Sequence, residues 1–130
     1  MIGIVIVAHG GLAREYLAAV EHVVGHQPGL IAIAIEADHD RDEKQQEILA
    51  AANAVDAGDG VVVVTDLFGG SPSNLSLRAC APADRRILYG ANLSMLIKLA
   101  KSRHLPVGDA VRAAMEAGRK YINTQNVTLD

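Results

Sequence analysis

The segment Ile2-Gly3-Ile4-Val5-Ile6-Val7-Ala8 is apolar throughout, and it stops at His9-Gly10-Gly11 before a helical pattern begins. A short β-branched run closed by glycines and followed by helical spacing reads as a buried strand feeding a tight turn into a helix. Strands buried on both faces belong to parallel sheets covered by helices on each side. The first residues thus commit the chain to an α/β layer structure and put an imidazole at the carboxyl end of its first strand. In open sheets of this kind, ligands and chemistry gather at that end. The alternative for His9 is simple packing against the helix that follows.

Three further apolar runs recur, Leu30 to Ile35, Val61 to Thr65 and Arg86 to Tyr89, with helical patterns between them. Leu12, Tyr16, Leu17, Val20, Val23 and Val24 share helical spacing, and Gly25 is a stop signal. Ile48, Leu49, Ala52 and Val55 line one face of the next helix, opposite Asp42, Glu43, Lys44 and Glu47, with Gly58 as its end. The third crossover begins at Ser71-Pro72, where serine can cap and proline can take the first helical position. Asn92 is predicted to cap a helix carrying Leu96, Ile97 and Ala100, and Val107, Val111, Ala114 and Met115 begin another.

This alternation predicts a small doubly wound, three-layer α/β/α fold with a mainly parallel sheet. Right-handed crossovers and the common order for a small sheet predict the strand order 2-1-3-4. The polar tail from Asn123 to Asp130 is read either as a frayed end or as a short extra strand. A length of 130 residues fits one domain spanning 1–130.

Composition narrows the function. Half of the residues are hydrophobic (50%), yet there are one Phe, three Tyr and no Trp, so the core is aliphatic. The net charge of -3 comes from 12 basic and 15 acidic residues with neither sign in a block. That pattern argues against nucleic acid, which needs a basic stripe, and against an anionic membrane surface. The apolar runs fall well short of the roughly 20 residues a membrane helix requires. Neither a signal nor a transit peptide is visible, so a cytoplasmic location is expected. A single Cys80 precludes an intramolecular disulfide, suits a reducing compartment, and reads as a small buried thiol.

In the order 2-1-3-4 the switch point falls between strands 1 and 3, whose carboxyl ends carry His9 and Thr65-Asp66. An imidazole and a carboxylate are therefore expected to meet in one crevice. Asp66 is followed by Leu67-Phe68-Gly69-Gly70-Ser71-Pro72, a glycine-rich turn into a helix start, and Gly10-Gly11 opens the first helix. Unpaired amides at helix starts favour an anion. The combination describes a site for a phosphoryl group carried on, or attacked by, imidazole. One ring nitrogen is the nucleophile, and a carboxylate can fix the proton on the other. Positioning and charge stabilisation dominate such transfers, and Gly10, Gly69, Gly70 and Ser71 are the candidate phosphoryl-binding residues. Asp66 has the alternative of capping its own turn, and Ser71 that of serving as a helix cap.

Here the chain resembles a known family. Ile4-Val5-Ile6-Val7-Ala8-His9-Gly10 and Val64-Thr65-Asp66-Leu67-Phe68-Gly69-Gly70-Ser71-Pro72-Ser73-Asn74 are similar to the mannose-type enzyme IIA of the bacterial phosphoenolpyruvate:sugar phosphotransferase system. Gly90-Ala91-Asn92-Leu93-Ser94-Met95 also resembles the family's turn after its fourth strand. The resemblance implies that His9 accepts a phosphoryl group from the histidine-containing phosphocarrier protein and passes it to a IIB partner. It further implies that Asp66 bonds the imidazole, that Ser71 and nearby amides contact the phosphoryl group, and that the protein is a homodimer. Phe68 stands where many members have Trp. A regulatory module on the same fold, acting on a partner protein through its phosphorylation state, is the alternative. The phosphoryl-donor subunit of dihydroxyacetone kinase is similar at the histidine but has a different turn after the strand-3 aspartate.

Other candidates read more plainly. Asp38-His39-Asp40 has metal-ligand types but no convergent partners elsewhere, so it reads as a solvated loop, and neither metal nor cofactor is expected. His22, His26 and His104 sit near helix ends, where a cationic imidazole suits the dipole. Met95 and Met115 fit core faces. Leu67 and Phe68, beside the proposed site, are either docking contacts for a protein partner or packing under the turn.

Overall fold

The computed structural model describes residues 1–130. Four strands, β1 (Gly3–His9), β2 (Leu30–Ile35), β3 (Val61–Thr65) and β4 (Arg85–Leu88), form one sheet in the order β2-β1-β3-β4. All three pairings are parallel. The helices are α1 (Leu12–Val24), α2 (Arg41–Val55), α3 (Ser71–Ser76), α4 (Leu93–Lys101) and α5 (Val107–Lys120), with a 3-10 turn at Arg78–Cys80. This is the doubly wound order read from the sequence.

The pleat sorts the central strands into two cores. Ile4, Ile6, Val62 and Val64 face one way, into a cluster with Val20, Leu96, Leu99, Ala110 and Ala114 of α1, α4 and α5. Val5, Val7, Val61 and Val63 face the other way, against Ile48, Ala52 and Val55 of α2 and Leu75 of α3. Because successive side chains point to opposite faces, only a run that is apolar at every position can serve both layers.

Several boundaries differ from the sequence reading. β4 begins at Arg85 rather than Arg86, because the Arg85 guanidinium is buried and bonds Ala79 O, Asn53 Oδ1 and Asp56 Oδ2 at 2.9–3.0 Å. α2 ends at Val55, and Gly58 lies beyond it in a turn where its N–H donates to Asp56 Oδ1 at 2.9 Å. Leu12 and Val23 of α1 are exposed, and Ala13 takes a core position instead. Asn92 does cap α4, its Oδ1 accepting from Met95 N at 2.9 Å, and its Nδ2 also donates to Gly118 O of α5. The tail after Tyr121 is exposed and forms no strand on this sheet, so of the two readings the strand is not realised within the chain. No helix is long and apolar enough to cross a membrane.

Candidate functional site

Parallel pairing of β1 with β3 runs in register from Gly3–Val61 to Val7–Thr65. His9 and Asp66 therefore leave neighbouring strands at the same end of the sheet, though 57 positions separate them. His9 Nδ1 lies 2.9 Å from Asp66 Oδ2, and the backbone N–H of His9 donates to the same oxygen at 3.1 Å. An ionised carboxylate can only accept, so the ring proton sits on Nδ1 and Nε2 keeps its lone pair. The His9 side chain is 48% exposed while that of Asp66 is 10% exposed. A reachable imidazole is thus held by a covered carboxylate.

The Asp66 carboxyl carries opposing influences. Partial burial works to raise its pKa, but the side-chain and backbone bonds from His9, joined by the ring's charge whenever the imidazole is cationic, outweigh burial and hold it below the ordinary carboxylate range. Its other oxygen, Oδ1, accepts from Leu67 N at 3.0 Å, which settles the turn that follows. Thr65, fully buried, adds Oγ1 to Leu67 O at 3.0 Å.

Two glycines shape the space around the ring. Gly10 has φ +56°, a left-handed conformation that turns the chain from β1 into α1 at little steric cost. Gly70 approaches the imidazole so closely that a Cβ there would lie 3.4 Å from His9 Cε1 and 3.8 Å from Nε2. The glycine turn after β3 therefore faces the edge of the ring that carries the free nitrogen.

The amide donors divide into engaged and free. Gly10 N–H donates to Ile35 O at 3.0 Å and Gly69 N–H to Ser73 Oγ at 3.1 Å, so neither is available to a ligand. Gly70 is the cap of α3 and Ser71 its first residue, so Ser71 does not cap the helix as its sequence position suggested. The N–H groups opening a helix have no partner within it, which leaves those of Gly70 and Ser71 at the start of α3, where Gly70 lies against the His9 ring.

Leu67 and Phe68 rim the site at 56% and 81% exposure. The Phe68 ring meets the Tyr89 ring edge-on at 5.0 Å between centroids. Packing under the turn is therefore not what this pair does. Pattern reasoning missed Tyr16 as part of this end of the sheet. Its hydroxyl donates to Ala91 O at 3.1 Å, and its pKa is raised by burial and then by the charge of Asp66.

Two of the other histidines are engaged away from the site. His26 Nδ1 pairs with Glu21 Oε2 at 2.9 Å, and His39 Nδ1 bonds Glu36 O at 2.6 Å. Asp40 caps α2 by accepting from Glu43 N, so the Asp38-His39-Asp40 trio does not converge on a point. Cys80 is partly covered, and burial pushes its thiol up to about 11, which keeps it unreactive.

Comparison with known proteins agrees with the geometry. The family model for the "PTS system fructose IIA component", EIIA-man, matches residues 3–116. The chain is 27% identical over 124 residues to the mannose-specific EIIAB component of Escherichia coli K12, covering 93% of this chain and 38% of that protein. It thus spans well under half the length of that relative. Among solved structures, the component EIIA from Streptococcus agalactiae superposes with a TM-score of 0.85 at 30% identity, over 95% of this chain and 97% of that one. The mannose/sorbose specific IIA subunit from Enterococcus faecalis gives 0.86 at 25% identity, over 98% and 97%. The matched family, the fold and the strand order agree, and the chain belongs to the mannose-type IIA family of the phosphotransferase system.

Proposed function

We propose that the protein is a phosphohistidine carrier of the sugar phosphotransferase system, with His9 Nε2 as the acceptor atom. The observation that carries the reading is the 2.9 Å bond from His9 Nδ1 to Asp66 Oδ2, which directs the ring's free lone pair toward solvent and the Gly70 turn. The Nε2 lone pair attacks phosphorus on the histidine of the phosphocarrier protein. As the new P–N bond forms, the donor's P–N bond breaks and its electron pair returns to the donor imidazole. His9 keeps its Nδ1 proton, so the phosphorylated ring is cationic, and Asp66 lies against that charge. Gly70 and Ser71 amides and the Ser71 hydroxyl stabilise the equatorial oxygens. The same steps in reverse deliver the group to a IIB acceptor.

Leu67 and Phe68 serve this transfer as docking contacts, since exposed apolar side chains beside a reacting atom suit a transient protein partner. A homodimer completes the proposal. It is supported by the free outer edge of β4, by the exposed Ile122, Val127 and Leu129 of the tail, and by the groove of about 300 Å³ along that edge.

Incubation with phosphoenolpyruvate, enzyme I and the phosphocarrier protein, read by intact mass and acid lability, tests the carrier role. One acid-labile phosphoryl group, absent from a His9→Ala variant, is expected. No gain in mass from competent donors would refute it.

A further inference from the structure

Asp66 is held toward His9 by more than the bonds between them. The Thr65 carbonyl belongs to the peptide that precedes Asp66, and it accepts from Ala91 N at 3.0 Å. The β3–β4 ladder ends one residue earlier, at Val64 with Leu88, so this bond lies outside the sheet. Ala91 stands in the turn between β4 and α4, and its own carbonyl accepts from the Tyr16 hydroxyl at 3.1 Å. Tyr16 is in the second turn of α1, the helix that starts directly after His9-Gly10-Gly11.

These links close a ring. It runs along the chain from His9 to Tyr16, across to Ala91, back to Thr65 and Asp66, and returns to His9 through the carboxylate. We propose that Tyr16 is a positioning residue for phosphoryl transfer, acting through Ala91 and the Thr65 carbonyl to keep the Asp66 carboxylate on Nδ1 of His9. The inference rests on His9 being the phosphoryl acceptor.

The chemistry requires such a support. Asp66 must stay aligned with Nδ1 both before transfer, when it sets the tautomer, and after, when the ring is cationic. A shift of well under 1 Å in a group that orients a nucleophile changes rate more than binding. A phenylalanine at position 16 would pack in the same half-buried place, so the hydroxyl's one bond to Ala91 is what tyrosine adds. The raised pKa of the phenol, from burial and then from Asp66, is consistent with the hydroxyl lying within reach of that carboxylate's field.

The test is the Tyr16→Phe protein beside wild type and Asp66→Asn. Each is measured for thermal stability, for the His9 tautomer by long-range proton–nitrogen correlation, and for kcat and KM with phosphorylated carrier protein as donor. The expected result is a fall in kcat of about five-fold, about 1 kcal/mol, at unchanged KM with a reduced Nδ1–H population. A lower melting temperature with the wild-type tautomer and kcat would make Tyr16 merely structural and overturn the proposal. If Asp66→Asn alters tautomer and kcat while Tyr16→Phe alters neither, Tyr16 alone is refuted. If Asp66→Asn also alters neither, the underlying reading of His9 and Asp66 falls, and this proposal with it.

Discussion

One oxygen of Asp66 takes two bonds from one residue: Oδ2 lies 2.9 Å from His9 Nδ1 and accepts the His9 backbone N–H at 3.1 Å. The backbone bond fixes where the carboxylate sits relative to β1, and the side-chain bond then fixes the ring relative to the carboxylate. Imidazole orientation is thereby tied to the sheet register.

Replacing Asp66 by Asn should leave the fold intact and slow transfer. A charge-assisted bond contributes about 1.5–3 kcal/mol, so the rate from phosphorylated donor should fall about 10- to 150-fold. Quench-flow phosphorylation of wild type and variant gives the ratio, and circular dichroism checks the fold.

The Asp66 pairing should also fail in acid. Its folded pKa lies below the ordinary value of 3.8, so the pairing's contribution to stability is fully present above that value and is lost as pH falls through the folded pKa. A carbon-13 titration of the Asp66 carboxyl should show its midpoint below the ordinary carboxylate range. In Asp66→Asn the pH dependence of stability should lose that acidic contribution.

Gly70 offers a steric probe that spares the fold. Its φ of -83° suits any residue, and an added Cβ would make only ordinary contact with His9 Cε1 at 3.4 Å. Gly70→Ala should change stability by no more than about 1 kcal/mol. The methyl would occupy space beside Nε2, so phosphorylation should slow by about ten-fold or more. Denaturant unfolding and labelling rate separate the two effects.

Phe68 should matter to partners and not to the fold. At 81% exposure its ring contributes little to folding stability. Phe68→Ala should raise KM for the phosphorylated carrier by about ten-fold, with kcat and the melting temperature unchanged. Unchanged KM would remove Phe68 from the docking surface.

The sequence exposed the parts of this fold that depend on local pattern. Apolar runs too uniform for a one-sided strand announced the two-faced sheet, and its parallel order carried His9 and Asp66 together across 57 positions. Features decided by tertiary bonds were hidden. The sequence starts the fourth strand at Arg86 and leaves Arg85 outside it, whereas in the fold Asn53 and Asp56 accept its guanidinium inside the protein. Ser71 reads as a helix cap, but the chain turns one residue earlier, at Gly70. Gly10 and Gly69 read as free amides, and only the folded chain shows Ile35 and Ser73 already using them. Tyr16 belongs to an ordinary helical stripe, and nothing local signals that its hydroxyl reaches Ala91, 75 positions away.

The most direct measurement is long-range proton–nitrogen correlation on the nitrogen-15-labelled protein after phosphorylation by its donor. Phosphorus bonded to Nε2 of His9, with the proton retained on Nδ1 against Asp66, is the predicted result. Phosphorus on Nδ1, or on any residue other than His9, would contradict it.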